Sequence, residues 1–226
     1  ALSFALLIVI VNVLFTPLWD IDSFTLWGLK SKVLFYSGLD KESYFCVEEY
    51  GFSHLDYPLL CPFLTAGIYA SIGESSQIAG KILYIPLFVF FALFLYSSSS
   101  RRIGKNTAFA LSAILLSSPA VLQWSAAGTA DIYLAVFYSL AIFYSIRYIE
   151  TKNSLFLSIA VMANISMVFS KNEGLPLALM NILGLLFLGF SAGFSKKENI
   201  RILFGMIIGI VILSPWFIWS YDIPKI

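Results

Sequence analysis

Charge is what this sequence has least of. Of 226 residues, 12% are Asp, Glu, Lys or Arg, against 59% hydrophobic and 17% aromatic residues, whereas a soluble domain is usually about a quarter charged. With a mean hydropathy of +0.87, a soluble globule is excluded and the chain belongs in a bilayer. Its 14 basic and 13 acidic residues leave a net charge of +1, so there is neither the basic surface that nucleic acid requires nor an acidic tail. Histidine occurs once, as His54, with no nucleophile-elbow pattern around it, so it is read as a hydrogen-bonding residue rather than the activator of a nucleophile. Cys46 and Cys61 are the only cysteines, and no zinc-type spacing exists. A disulfide between them is open, although Cys61 lies in an apolar run where a small buried thiol is the favoured reading. Repeats and low-complexity tracts are also missing. The apolar opening at Ala1 lacks the flanks of a signal peptide, and the expectation is a single membrane domain over residues 1–226, a piece of a longer protein.

Long apolar runs are what the sequence has in abundance. A hydrocarbon core about 30 Å thick needs roughly 20 residues of helix, and scanning on that basis gives about seven spans, at residues 1–19, 77–97, 107–127, 131–149, 153–170, 174–194 and 200–220. The runs are continuous and too long for barrel strands. The expected fold is all-α, a polytopic transmembrane helical bundle. Pro86, Pro119 and Pro215 fall within or near span ends, where they are tolerated and can kink the helices.

Arg101, Arg102 and Lys105 fall in the second connection, Arg147 and Lys152 in the fourth, and Lys196, Lys197 and Arg201 in the sixth. Alternate connections share a face, and the positive-inside rule makes this one cytoplasmic. The extracytoplasmic side then receives the long first loop at 20–76, the Gly128–Asp131 turn, the Ser170–Gly174 turn and Asp222. Within the loop, helical spacing of Phe24, Trp27, Leu34 and of Leu26, Leu29, Val33 predicts an interfacial helix at about 23–37, with Asp22 or Ser23 as N-cap and Gly38 as stop. An acidic stretch with Asp40, Glu42, Glu48 and Glu49 follows. Pro58 then suits the first turn of a second juxtamembrane helix at about 57–72.

The candidate site residues gather on that outer side. A carboxylate at a membrane boundary faces a cavity or a bundle interior rather than lipid. Asp22 is assigned to capping, and Asp20, ending the first span, to catalysis. Asp131 opens the fourth span, and if Thr129 caps that helix, Asp131 points into the cavity. Lys171 and Glu173 flank Asn172 in a tight turn, either as a surface pair worth under about 1 kcal/mol or with Lys171 on an anionic phosphate. Lys30 and Lys32 offer the same chemistry, with snorkelling to headgroups as their alternative. The mid-span polar residues are Gln123, Asn164 and Asn181, with no mid-span charge.

Four stretches carry a family likeness: WDIDSFTLWGLKSKVLF at 19–35, HLDYPLLCPFL at 54–64, AAGTADIYLAVF at 126–137 and SKNEGLPLAL at 170–179. In this order and on one membrane face, they resemble the GT-C superfamily of membrane glycosyltransferases, near the protein O-mannosyltransferase and lipid A aminoarabinose transferase branch. The likeness covers nearly the whole chain and corresponds to that family's N-terminal module. It implies Asp20 as the general base, Asp131 as a second catalytic carboxylate, and substrate-binding roles for Lys30, His54, Asp56, Tyr57, Lys171, Asn172 and Glu173. Where protein mannosyltransferases carry His-Pro-Pro this chain reads His54-Leu55-Asp56-Tyr57-Pro58, and their Asp-Glu pair is here Asp20-Ile21. These departures point to a bacterial relative of unassigned acceptor, in the cytoplasmic membrane with its active site outward.

The function implied is inverting transfer of a sugar from a polyprenyl-phosphate donor to a hydroxyl of a glycan, lipid or protein acceptor. No cofactor is required by this reading, and a divalent metal between Asp20 and Asp131 is left open. The rival is a transporter or flippase for lipid-linked sugars. Transporters place ionisable groups near the midplane, and here charge collects at one interface instead.

Overall fold

A computed structural model describes residues 2–224. Every regular element among them is helical, as the apolar runs predict. The helices are α1 (Leu2–Phe15), α2 (Leu29–Ser37), α3 (Leu60–Ile72), α4 (Tyr84–Ile103), α5 (Lys105–Leu116), α6 (Pro119–Trp124), α7 (Asp131–Thr151), α8 (Ser154–Ser170), α9 (Gly174–Ser191) and α10 (Lys196–Trp219). Those long and apolar enough to cross a bilayer are α7, α9, α10 and the segment Ala79–Ile103, which contains α4; α1, α3, α5 and α8 are apolar but shorter.

Three expected spans differ from the helices found. The first stops at Phe15 rather than 19, because Pro17 has no N–H to continue the ladder and the Asn12 carbonyl also accepts from the Thr16 hydroxyl at 2.5 Å. The span expected at 107–127 is two helices. Ser118 is extended (φ −65°, ψ 139°) and Pro119 starts α6, the arrangement that a proline imposes on the residue before it. The span expected at 77–97 shifts toward the C-terminus: a 3₁₀ turn at Ala79–Lys81 precedes α4, whose last turn contains Arg101 and Arg102, where cations complement the helix dipole.

The described residues form two compact units, one of residues 2–55, 61–132 and 224, the other of residues 56–60 and 133–223. In the first, α4 packs on α5 and on α1, and α6 touches α1 and α5. The 23–37 stretch is helical, wound as a π-helix over Ser23–Gly28 and as α2 beyond it. Asp22 does not cap it. Asp20 does, its Oδ1 accepting from the backbone N–H of Asp22 at 3.0 Å and of Ser23 at 3.3 Å, because helical winding begins at Ile21. The second loop helix starts at Leu60, two residues after Pro58. Cys46 is exposed, Cys61 is buried, and both are free.

In the second unit, α8 packs on α9 and α10 around Leu157, Leu185, Ile202 and Tyr148 of α7. Asn181 donates to Ser145 Oγ and to Asn164 Oδ1, both at 3.3 Å, and Asn164 donates to the Ala160 carbonyl at 2.8 Å. The mid-span polar residues of α8 and α9 are thus bonded to helices, the role such groups have between membrane helices. A capping box of Ser195 and Glu198 starts α10. Lys152 reaches Glu198 at 3.3 Å, which brings the basic α7–α8 and α9–α10 connections together.

The acidic stretch of the first loop is anchored by an aromatic pin. Ser53 Oγ donates to the Tyr50 carbonyl, so at the 2.6 Å contact between Tyr44 and Ser53 the phenol is the donor. Burial raises the Tyr44 pKa from 10.0 to about 12. The fold therefore favours the neutral phenol, and this stabilisation is complete below pH 10 and lost as pH rises toward 12. Tyr44→Phe should flatten the loss of thermal stability between those two pH values, measured by unfolding scans in detergent; an unchanged slope would mean that Tyr44 does not titrate as the fold requires.

Candidate active site

In the first unit, two segments that lead into carboxylates are packed on each other. Leu18, two residues before Asp20, fits between Gly28 and Gly128: a Cβ on Gly28 would lie 2.6 Å from Leu18 Cδ1, and one on Gly128 would lie 2.5 Å from Leu18 Cδ2. Gly128 also has φ +91°, a conformation that side chains with a Cβ avoid. The 126–130 loop is further held by Tyr84, whose hydroxyl donates to the Thr129 carbonyl at 2.8 Å. Thr129 is not the cap expected for α7, since its buried hydroxyl has no hydrogen-bond partner. Both carboxylates stay partly accessible: Asp20 and Asp131 are half-buried.

Beneath Leu18 lies a lysine that the sequence did not single out. Lys81 is 1% exposed, and its ammonium donates to the Asn12 carbonyl at 2.9 Å, Thr16 Oγ1 at 3.1 Å, the Pro17 carbonyl at 3.3 Å and the Ala126 carbonyl at 3.5 Å. The first three belong to the chain entering Asp20, the last to the loop entering Asp131. A residual cavity of about 10 Å³ between Lys81, Gly28 and Cys61 has room for roughly one water. Only the spacing of Lys81 within an otherwise apolar approach to α4 hints at its role.

Lys30 is also buried, donating to the His54 carbonyl at 2.5 Å, with the Trp27 ring 6.0 Å away. It ties α2 to the turn at His54. His54 is half-buried and left-handed, with φ +46°. In the second unit, Asn172 donates to Asp56 Oδ2 at 2.9 Å, while Asp56 Oδ1 is buried without a partner. Lys171 and Glu173 form the expected pair, at 3.5 Å, with Lys171 the more buried of the two. Tyr57 is half-buried beside Asp56 in the chain. Two local contacts thus involve the candidate residues, Lys30 with His54 in the first unit and Asp56 with Asn172 in the second. Among the described residues, no three His, Cys, Asp or Glu side chains converge to hold a metal.

These features define an all-helical integral membrane protein with carboxylates at helix starts. The profile of the dolichyl-phosphate-mannose-protein mannosyltransferase family matches residues 56–219, and the chain belongs to that family. Membership makes it a membrane glycosyltransferase of mannosyltransferase type. The match takes in Asp56, Tyr57, Asp131, Lys171, Asn172 and Glu173, and begins after Asp20, Lys30 and His54. Neither a curated protein nor a solved structure matches the chain.

The fit of Leu18 against Gly128 is open to direct test. Gly128→Ala should destabilise the protein by at least about 1 kcal/mol, lowering its unfolding temperature in detergent, whereas Gly184→Ala, inside α9 with open space around it, should leave stability unchanged or raise it by up to about 1 kcal/mol. Equal effects at the two positions would contradict the close packing described.

Proposed function

We propose that this chain carries the catalytic carboxylates of an inverting glycosyltransferase that moves a sugar from a polyprenyl-phosphate donor to an acceptor hydroxyl on the extracytoplasmic side. The observation that carries the reading is the family match over residues 56–219, which includes the Asp131 helix start and the 171–173 turn. The basic residues around α4, α7, α8 and α10 support a cytoplasmic placement of their connections and an outward placement of Asp20 and Asp131. A bacterial cytoplasmic membrane and about seven crossings complete the proposed topology.

In the proposed reaction, Asp20 takes the proton of the acceptor hydroxyl. The freed oxygen forms a bond to the anomeric carbon while the bond from that carbon to the phosphate oxygen breaks, and the polyprenyl phosphate departs with the electron pair. One displacement inverts the configuration. Asp20 is suited to the part because its Oδ1 is held in the cap, accepting from the backbone N–H of Asp22 and of Ser23, which aims the carboxylate while it stays partly accessible. Lys171 is assigned to the charge that develops on the leaving phosphate, where a fixed cation in a water-poor site acts strongly. Asp56 and Asn172 present acceptor and donor groups to sugar hydroxyls, with Asp56 Oδ1 awaiting a donor. Substrate-binding roles are also assigned to Lys30 and to His54, whose carbonyl accepts from the Lys30 ammonium, and to Tyr57 and Glu173.

Positioned proton transfer contributes about 100-fold to 10,000-fold. With the full-length protein in membranes and a panel of radiolabelled polyprenyl-phosphate sugars, Asp20→Asn should lower transfer by that range at matched expression. Asp131→Asn should also lower it, while Asp22→Asn leaves it nearly unchanged. Transfer by Asp20→Asn at the native rate would remove Asp20 from the mechanism, and failure to consume any donor in a broad panel would favour a lipid-linked-sugar transporter.

A further inference from the structure

We propose that Lys81 is a positioning residue, whose buried ammonium fixes the segment carrying Asp20 against the loop that leads into Asp131. The inference rests on the reading of those two carboxylates as catalytic. Its physical basis is the set of Lys81 partners, all neutral oxygens: the Asn12 carbonyl and the Thr16 hydroxyl at the end of α1, the Pro17 carbonyl three residues before Asp20, and the Ala126 carbonyl five residues before Asp131. A cation at a helix C-terminus meets the negative end of the dipole. Here it also bridges to a second chain segment.

Two further contacts act in the same direction. Tyr84, one helical turn beyond Lys81, grips the Thr129 carbonyl, so residues 81 and 84 together hold both ends of the 126–129 loop. Leu18 closes the junction against Gly28 and Gly128. The remaining space, about 10 Å³, is far too small for a sugar or a phosphate. With 1% exposure, Lys81 therefore acts through the backbone that it holds and not by touching substrate.

A lysine that bound the donor would behave differently from one that places a base. The test compares native protein and Lys81→Met, each with and without Asp20→Asn, in lipid nanodiscs. Lys81→Met should lower kcat at least about 10-fold with the donor KM within about two-fold, and should cost little more once Asp20 is Asn. Amide exchange over residues 17–25 and 126–131 should quicken while that of α9 does not change. Should Lys81→Met fail to fold, Thr16→Val removes one acceptor while keeping shape, and should lower kcat a few-fold with KM unchanged and quicken exchange over 17–25.

A raised donor KM with kcat retained would overturn the proposal, as would unchanged exchange in the two segments or an equal cost of Lys81→Met in both backgrounds. If Asp20→Asn alone transfers sugar at the native rate, the catalytic assignment of Asp20 falls, and the exchange measurement still decides whether Lys81 ties the segments together.

Discussion

In a bilayer, water is not at hand to bond a carbonyl left free where a helix ends, and each such group costs several kcal/mol if nothing replaces the missing N–H. The first unit meets this constraint where α1 stops. Pro17 ends the helix, and the carbonyls of Asn12 and Pro17 turn toward a single donor, the Lys81 ammonium. Burying that lysine is itself unfavourable unless several oxygens surround it, and the fourth oxygen comes from Ala126. Satisfying the end of one helix thus brings in a second strand of chain, and the two carboxylate-bearing segments become neighbours as a consequence.

The second unit handles its polar groups in another way. Asn164 and Asn181 sit inside helices whose own backbone bonds are complete, so their side chains bond across α7, α8 and α9. They hold helices together without placing a reactive group. The residues of this unit proposed to bind substrate, Asp56, Lys171, Asn172 and Glu173, lie instead in the connection and turn, where Asp56 keeps one buried oxygen unbonded.

Much of this could be read from residue order, and the failures have specific causes. The starts of α7, α8 and α9 fall at Asp131, Ser154 and Gly174, within a residue of expectation, because polar turns there interrupt apolar runs. The break at Ser117–Ser118 was hidden because hydropathy averages over a window and does not see that Pro119 forbids helix at the residue before it. Asp20 and Asp22 were both recognised as a polar helix start, but the choice of cap turned on where winding begins, one residue after Asp20. Lys81 was invisible for a deeper reason. A lysine beside an apolar run looks like an interfacial anchor, and only the path of α1 and of the 126–130 loop shows that four oxygens converge on it.

The most direct measurement is the anomeric configuration of the transferred sugar. A polyprenyl-phosphate donor of defined anomer would be incubated with the full-length protein and an acceptor, and the product analysed by proton NMR coupling constants. A single displacement assisted by Asp20 predicts that the product has the configuration opposite to the donor. Retention of the donor's configuration would require an intermediate that this account does not contain, and would contradict it.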